Sequence, residues 1–201
     1  MRRPACRRSR GAAWATLALA VLAASCVLRQ RPDPTRFYVL TASAPNYSPT
    51  PGLLAVGLGP LTMPGYLQHP MLATRVDGTQ VRYADFDRWA EPLSTLFARA
   101  LGQDLSAVLG GARIVTYPWF RTIPLDVVVR VDVRAFEADA AGNVVLDACW
   151  SVRDARTGTV RENDCLSITE AVDELGPKAQ VAALSRTVED LARRVAGAIR
   201  S

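Results

Sequence analysis

Residues 124–136, PLDVVVRVDVRAF, alternate along their whole length. Leu125, Val127, Val129, Val131, Val133 and Ala135 fall on one side of an extended chain. Asp126, Arg130, Asp132 and Arg134 fall on the other. Successive side chains of a strand point to opposite faces, so this segment requires a sheet with one covered face and one wet face. Such a pattern is expected of an antiparallel sheet with its cover on a single side, because a strand buried on both faces reads as a continuous apolar run.

Two other segments supply the cover. From Pro92 onward, Leu93, Leu96, Phe97, Ala100, Leu101, Leu105 and Val108 recur at steps of three and four, the apolar stripe of a helix. Pro92 suits its first turn and Gly110-Gly111 its end; the charged Arg99 and Asp104 are expected on its outer face. Residues 177–199 place Val181, Leu184, Val188, Leu191, Val195 and Ala198 on one seam. That seam docks on the chain's own sheet or, its step being nearly heptad, serves a partner helix. Further strands are predicted over 36–40, 53–59 and 71–83, the last folded into a hairpin at Asp77-Gly78. Residues 144–152 and 159–168 flank DARTG and read as another hairpin. The predicted fold class is α+β, a mostly antiparallel sheet with two main amphipathic helices packed on one face.

The N-terminus is of a different kind. MRRPACRRSR carries five arginines and no acid, and residues 11–24, GAAWATLALAVLAA, are almost wholly apolar. A basic segment, a short apolar segment and small residues at its end are the parts of a secretory signal peptide. The apolar stretch falls short of the roughly 20 residues a permanent bilayer span needs. Ala24 and Ser25 are followed directly by Cys26, which resembles the lipobox of bacterial lipoproteins. In that class the cysteine is acylated and becomes the first residue of the mature chain. Leu22 lies four residues before Cys26, one more than the usual spacing, and the alternative is a plain signal peptide with a chance cysteine. The expected organisation is a signal peptide over 1–25, a lipidated Cys26 with a proline-stiffened tether over 26–35, and a single α+β domain over 36–201. Val27 follows the cysteine where an aspartate would resemble an inner-membrane retention signal, so the expected location is the periplasmic face of the outer membrane.

Removing residues 1–25 changes the charge. Lys+Arg falls from 24 to 19 against 19 Asp+Glu, so the net charge of +5 becomes formally zero. Nucleic-acid binders keep a basic excess on their folded part, and no nucleic-acid partner is expected. Of the four cysteines, Cys6 leaves with the signal and Cys26 takes the lipid, which leaves Cys149 and Cys165. An even pair in an oxidising compartment reads as a disulfide. Pairing the second hairpin symmetrically about Thr157 sets the two opposite each other, on the face of Asp147, Ser151, Arg161 and Asn163. Two free thiols are the alternative.

Motifs for chemistry are missing. His69 is the single histidine, whereas a catalytic zinc site uses two or more. No nucleophile elbow, Walker loop or dinucleotide fingerprint occurs, so no catalytic, cofactor or metal site is predicted. GLGPLTMPG (57–65) is glycine-rich without the lysine of a phosphate cradle. Asp85, Asp87 and Glu91 precede the first helix and read as partners of its dipole. YPWF (117–120) reads as an exposed contact patch or as core.

LAVGLGPLTMPGYLQHPMLATR (54–75) and RWAEPLSTLFARALGQDLSAVL (88–109) resemble the ABC-type transport auxiliary lipoproteins, the PqiC-like family. The most specific part is Arg88-Trp89-Ala90-Glu91-Pro92-Leu93, supported by Pro64, Tyr66 and Leu67. The resemblance implies a non-enzymatic, lipid-anchored subunit of an intermembrane lipid transport system. It would dock an MCE-domain protein at the outer membrane, in a system with an ABC permease and ATPase, and it could assemble as a homo-oligomeric ring. Arg88, Trp89, Glu91 and Pro92 are expected to be structural, fixing the helix start against the sheet. A lipoprotein regulator of a cell-wall synthase is the alternative binding role, and an anchored periplasmic hydrolase the alternative outside that class.

Overall fold

The computed structural model describes residues 32–42, 54–120, 122–172 and 176–201. Cys26 and the signal segment lie outside the described residues. Thr35–Ser201 forms one compact unit; of the other unit, Met1–Pro34, the described residues are Pro32, Asp33 and Pro34. Eight strands make one sheet: β1 (Arg36–Tyr38), β2 (Ala55–Thr62), β3 (Met71–Arg75), β4 (Val81–Trp89), β5 (Arg113–Thr116), β6 (Val127–Ala138), β7 (Val144–Asp154) and β8 (Val160–Glu170). Two helices, α1 (Leu93–Val108) and α2 (Pro177–Arg200), share a core with it.

The sheet is organised around β6, the alternating segment. One edge of β6 carries β7 along its whole length, and β7 carries β8. The other edge is divided: β2 lies along its first half and β3 meets it at Ala138. Joins β3–β4, β6–β7 and β7–β8 are antiparallel, whereas β1–β4, β2–β5, β2–β6 and β3–β6 are parallel. The sheet is therefore mixed rather than mostly antiparallel. Alternation reports which face is covered and carries no information on the direction of the neighbouring strand. The parallel β2–β5 join needs a long return connection, and β3, β4 and α1 provide it.

Along β6, Val127, Val129, Val131 and Val133 are buried and Arg130, Asp132 and Arg134 exposed, as the pattern predicts. A register shift between Val133 and Ala135 then moves the inward position by one residue. A bulge leaves one residue without a counterpart on its neighbour. Phe136 and Ala138 enter the core in place of Ala135, and Phe136 meets Phe97 of α1 edge-on at 5.1 Å. Leu125, expected inward, instead lies beside Gly57.

In α1, Leu93, Leu96, Phe97, Ala100, Leu101 and Leu105 are buried. The Pro92 carbonyl accepts hydrogen bonds from the N–H groups of Thr95 and Leu96. Gly110 and Gly111, both at positive φ, end the helix as the sequence predicts. Asp104 departs from expectation: it is buried rather than outward. It faces α2, whose Arg193 feels its charge. The α2 seam is spent within the domain, because Val181, Leu184, Val188, Leu191, Val195 and Ala198 are all buried in the common core. β5 and the extension of β4 to Trp89 are elements that the sequence pattern did not reveal.

Candidate functional site

The segment Arg88–Pro92 turns the chain from β4 into α1. Trp89 is buried, its N–H donating to the Pro70 carbonyl, while the Ala90 N–H donates to the Tyr38 carbonyl. Trp89 lines a narrow gap with Leu67, Leu72, Leu93 and Phe136. The Glu91 carboxylate, just before α1, pairs with Arg99 of that helix. Asp87 does not act on the helix dipole. It lies buried on β4 and binds both β1 polar groups: Arg36 Nε at 2.8 Å, Arg36 Nη2 at 3.0 Å and the Tyr38 hydroxyl at 2.9 Å. Burial, and then the Asp87 carboxylate, hold the Tyr38 phenol above its ordinary pKa.

A second polar cluster joins the 3-10 turn Gly65–Gln68 to β3 and β6. Glu137 is buried, and its carboxylate accepts from Arg75 Nε at 2.7 Å, from the Tyr66 hydroxyl at 2.9 Å and from the Phe136 N–H at 2.7 Å. Arg75 also donates to the Tyr66 oxygen at 2.9 Å. Burial is the main cause, and the Glu137 charge the second, of a Tyr66 pKa pushed up to about 12. Tyr83 donates to the Tyr66 carbonyl and stacks on His69 at 4.2 Å. His69 is thus occupied by an aromatic face, and no group of metal-ligating side chains occurs among the described residues.

The glycines of GLGP serve packing. A Cβ on Gly57 would stand 2.7 Å from Leu125 and 3.1 Å from Trp119. Gly59, at φ +130°, would meet the Tyr117 Cβ at 2.5 Å. YPWF therefore divides its roles: Trp119 is half-buried over Gly57, whereas Tyr117 and Phe120 are 55% and 80% exposed. Two open grooves meet at Pro60 beside this loop. One of about 500 Å³ runs between Leu58, Leu61 and Tyr117 and the Thr95–Arg99 face of α1. The other, about 330 Å³, lies between Thr62, Arg130 and Asp132 and the Cys149–Asn163 region.

That second groove borders the disulfide. Cys149 and Cys165 are register partners on β7 and β8 and are bonded, with Cα atoms 4.0 Å apart. The pairing is symmetric about Thr157 from Val144↔Glu170 to Val152↔Glu162. At the tip Asp154 accepts from the N–H groups of Thr157 and Arg156 and pairs with Arg161. These contacts, the Thr157 N–H foremost, hold its carboxyl well below the usual range.

This arrangement offers grooves, an aromatic loop and braced edges. The family model for the ABC-type transport auxiliary lipoprotein component matches residues 38–196. The chain belongs to that family. It is a family of transport auxiliary components and not of enzymes. No curated protein matches the sequence. A crystal structure described as an uncharacterized protein shares 18% identity at a TM-score of 0.69, covering 82% of this chain and 98% of its own. Protein XCC0632 from Xanthomonas campestris shares 15% identity at a TM-score of 0.61, covering 81% and 93%. A PelC dodecamer from Paraburkholderia phytofirmans is more distant, with 14% identity, a TM-score of 0.45, and coverage of 77% and 94%. The first two share the fold of this auxiliary component. No helix among its described residues is long and apolar enough to cross a membrane.

The residues that sequence reasoning singled out separate into distinct places. Trp89 and Pro92 sit at the strand-to-helix turn, the cysteines on the far hairpin, and Cys26 lies outside the described residues. Glu137 and Arg75 were missed as a pair. Arg75 closes the family segment 54–75, but its partner is on β6, 62 residues away.

Proposed function

We propose that this auxiliary lipoprotein is the lipid-anchored periplasmic subunit of an MCE/ABC-type intermembrane lipid transport system. It is held by Cys26 at the outer membrane, where it docks the MCE component. The observation that carries the reading is the family match over 38–196, joined to a lipobox-like sequence ending at Cys26. The organisation proposed with it is a cleaved signal over 1–25, a tether to residue 35 and one domain from residue 36. In this reading Arg88, Trp89, Glu91 and Pro92 shape the domain rather than touch lipid, and the disulfide braces the β7–β8 arm.

The docking surface is assigned to the aromatic loop and the larger groove beside it. Exposed aromatic side chains next to a concave apolar floor are what protein interfaces use as anchors. Phe120, at 80% exposure, contributes little to folding and is free to bury against a partner. Substituting Phe120→Ser and Tyr117→Ser is expected to leave the domain folded and to lower recovery of an MCE-domain protein about ten-fold or more, the loss typical of interface anchors. Undiminished recovery would move the docking surface elsewhere. A ring of copies belongs to the same reading, and native mass spectrometry of the acylated protein in mild detergent tests it.

A further inference from the structure

We infer that the outer face of β1 and β4, carrying Phe37, Val39 and Phe86, seats on the bilayer that holds the lipid anchor. Its occupant is the boundary between headgroups and acyl chains. Alternation places Phe37 and Val39 opposite Tyr38 and Leu40, which turn to the core. Phe86 and Arg88 likewise stand opposite the buried Asp87 and Trp89. The parallel register sets Phe37 beside Arg88, so Phe86 is its diagonal neighbour, within reach of an aromatic ring. Phe37 is 66% exposed, Phe86 49% and Val39 46%. Three large apolar side chains thus share one outer corner of the sheet. Exposed aromatic rings beside an aliphatic side chain suit the boundary between headgroups and acyl chains.

What selects a bilayer over other occupants is the length of chain leading to this corner. The inference rests on the Cys26 anchor proposed above. Phe37 follows Cys26 by eleven residues, which span about 40 Å at full extension and less with a coil's average dimensions. A tether so short gives the corner an effective concentration at the membrane on the order of millimolar. Even a contact too weak to bind a free protein is then largely occupied. The apolar Val160 on β8 lies at the opposite edge of the sheet and has no such proximity.

The test uses the acylated full chain on phosphatidylethanolamine/phosphatidylglycerol vesicles. An environment-sensitive fluorophore is placed on a Val39→Cys variant, or on a Val160→Cys variant as control, with the native disulfide left oxidised. Spin-labelled lipids are expected to quench position 39 at least about two-fold more than position 160. Adding Phe37→Ser and Phe86→Ser should bring position 39 down to the control level while the protein still floats with the vesicles. Equal quenching at both positions in floating protein overturns the membrane seat and leaves the anchor standing. Failure to float overturns the anchor and the seat together. A blue-shifted fluorophore at position 39 without vesicles overturns the seat in favour of a second copy or the chain's own residues 43–53, according to whether the shift depends on protein concentration.

Discussion

Glu137 gathers more polar contacts than any apolar residue at its place on β6 could supply, and it does so while buried. Its removal leaves the Phe136 N–H and the Tyr66 hydroxyl without their acceptor and Arg75 without its counter-charge. Glu137→Ala is expected to cost about 3 kcal/mol, read as a lowered urea midpoint with an unchanged slope. Tyr66 adds a pH signature. Its folded pKa of about 12 lies above the ordinary 10.0, so the stabilisation is complete below pH 10 and is lost as pH rises through 12. Tyr66→Phe should therefore lose stability at neutral pH, and its deficit should shrink across that alkaline window; a constant deficit would contradict the assignment. This cluster could not be read from the sequence, because the β6 bulge shifts the alternation just before Glu137. Asp104 misled for a related reason: one acid on a helix gives no sign that a second helix, with Arg193, will cover it. Val127 to Val133 were legible because nothing interrupts their period.

At the scale of elements, a disulfide braces the β7–β8 hairpin and backbone hydrogen bonds from Trp89 and Ala90 brace the turn into α1. The hairpin register was legible because both arms are extended and DARTG fixes their centre. Replacing Cys149 and Cys165 together by alanine removes a closed loop of sequence separation 16. The chain-entropy estimate puts the loss at about 3 kcal/mol, seen as a lower thermal midpoint that reducing agent no longer affects. The acid limb belongs to this hairpin too. Asp154 is held below its ordinary value of 3.8, so its contribution is present above that pH and is lost as pH falls below it. Trp89→Ala would widen the gap among Leu67, Leu72, Leu93 and Phe136 and cost about 3–5 kcal/mol, measured by denaturant unfolding. The parallel joins of β1 and β5 were not legible. They depend on where a returning segment lands, and a short strand such as Arg113–Thr116 has too few residues to show a period.

At the scale of the molecule, both helices and the inward face of the sheet are consumed in one core. Among the described residues, the aromatic loop, its grooves and the corner at β1 are left for other molecules. A family of transport auxiliary lipoproteins fits a domain that offers surfaces and, in the proposed organisation, a tether. Cys26→Ala is expected to move the protein from the membrane fraction to the soluble periplasm and to abolish complementation of an envelope defect. Retained membrane attachment would contradict the anchor. The central claim, membership of a working lipid transport system, is tested most directly by in-cell crosslinking and mild-detergent purification of the acylated protein, with partners identified by mass spectrometry. Recovery of an MCE-domain protein with its ABC permease and ATPase is the predicted result. Recovery of a cell-wall synthase in their place, or of the lipoprotein alone, would contradict it.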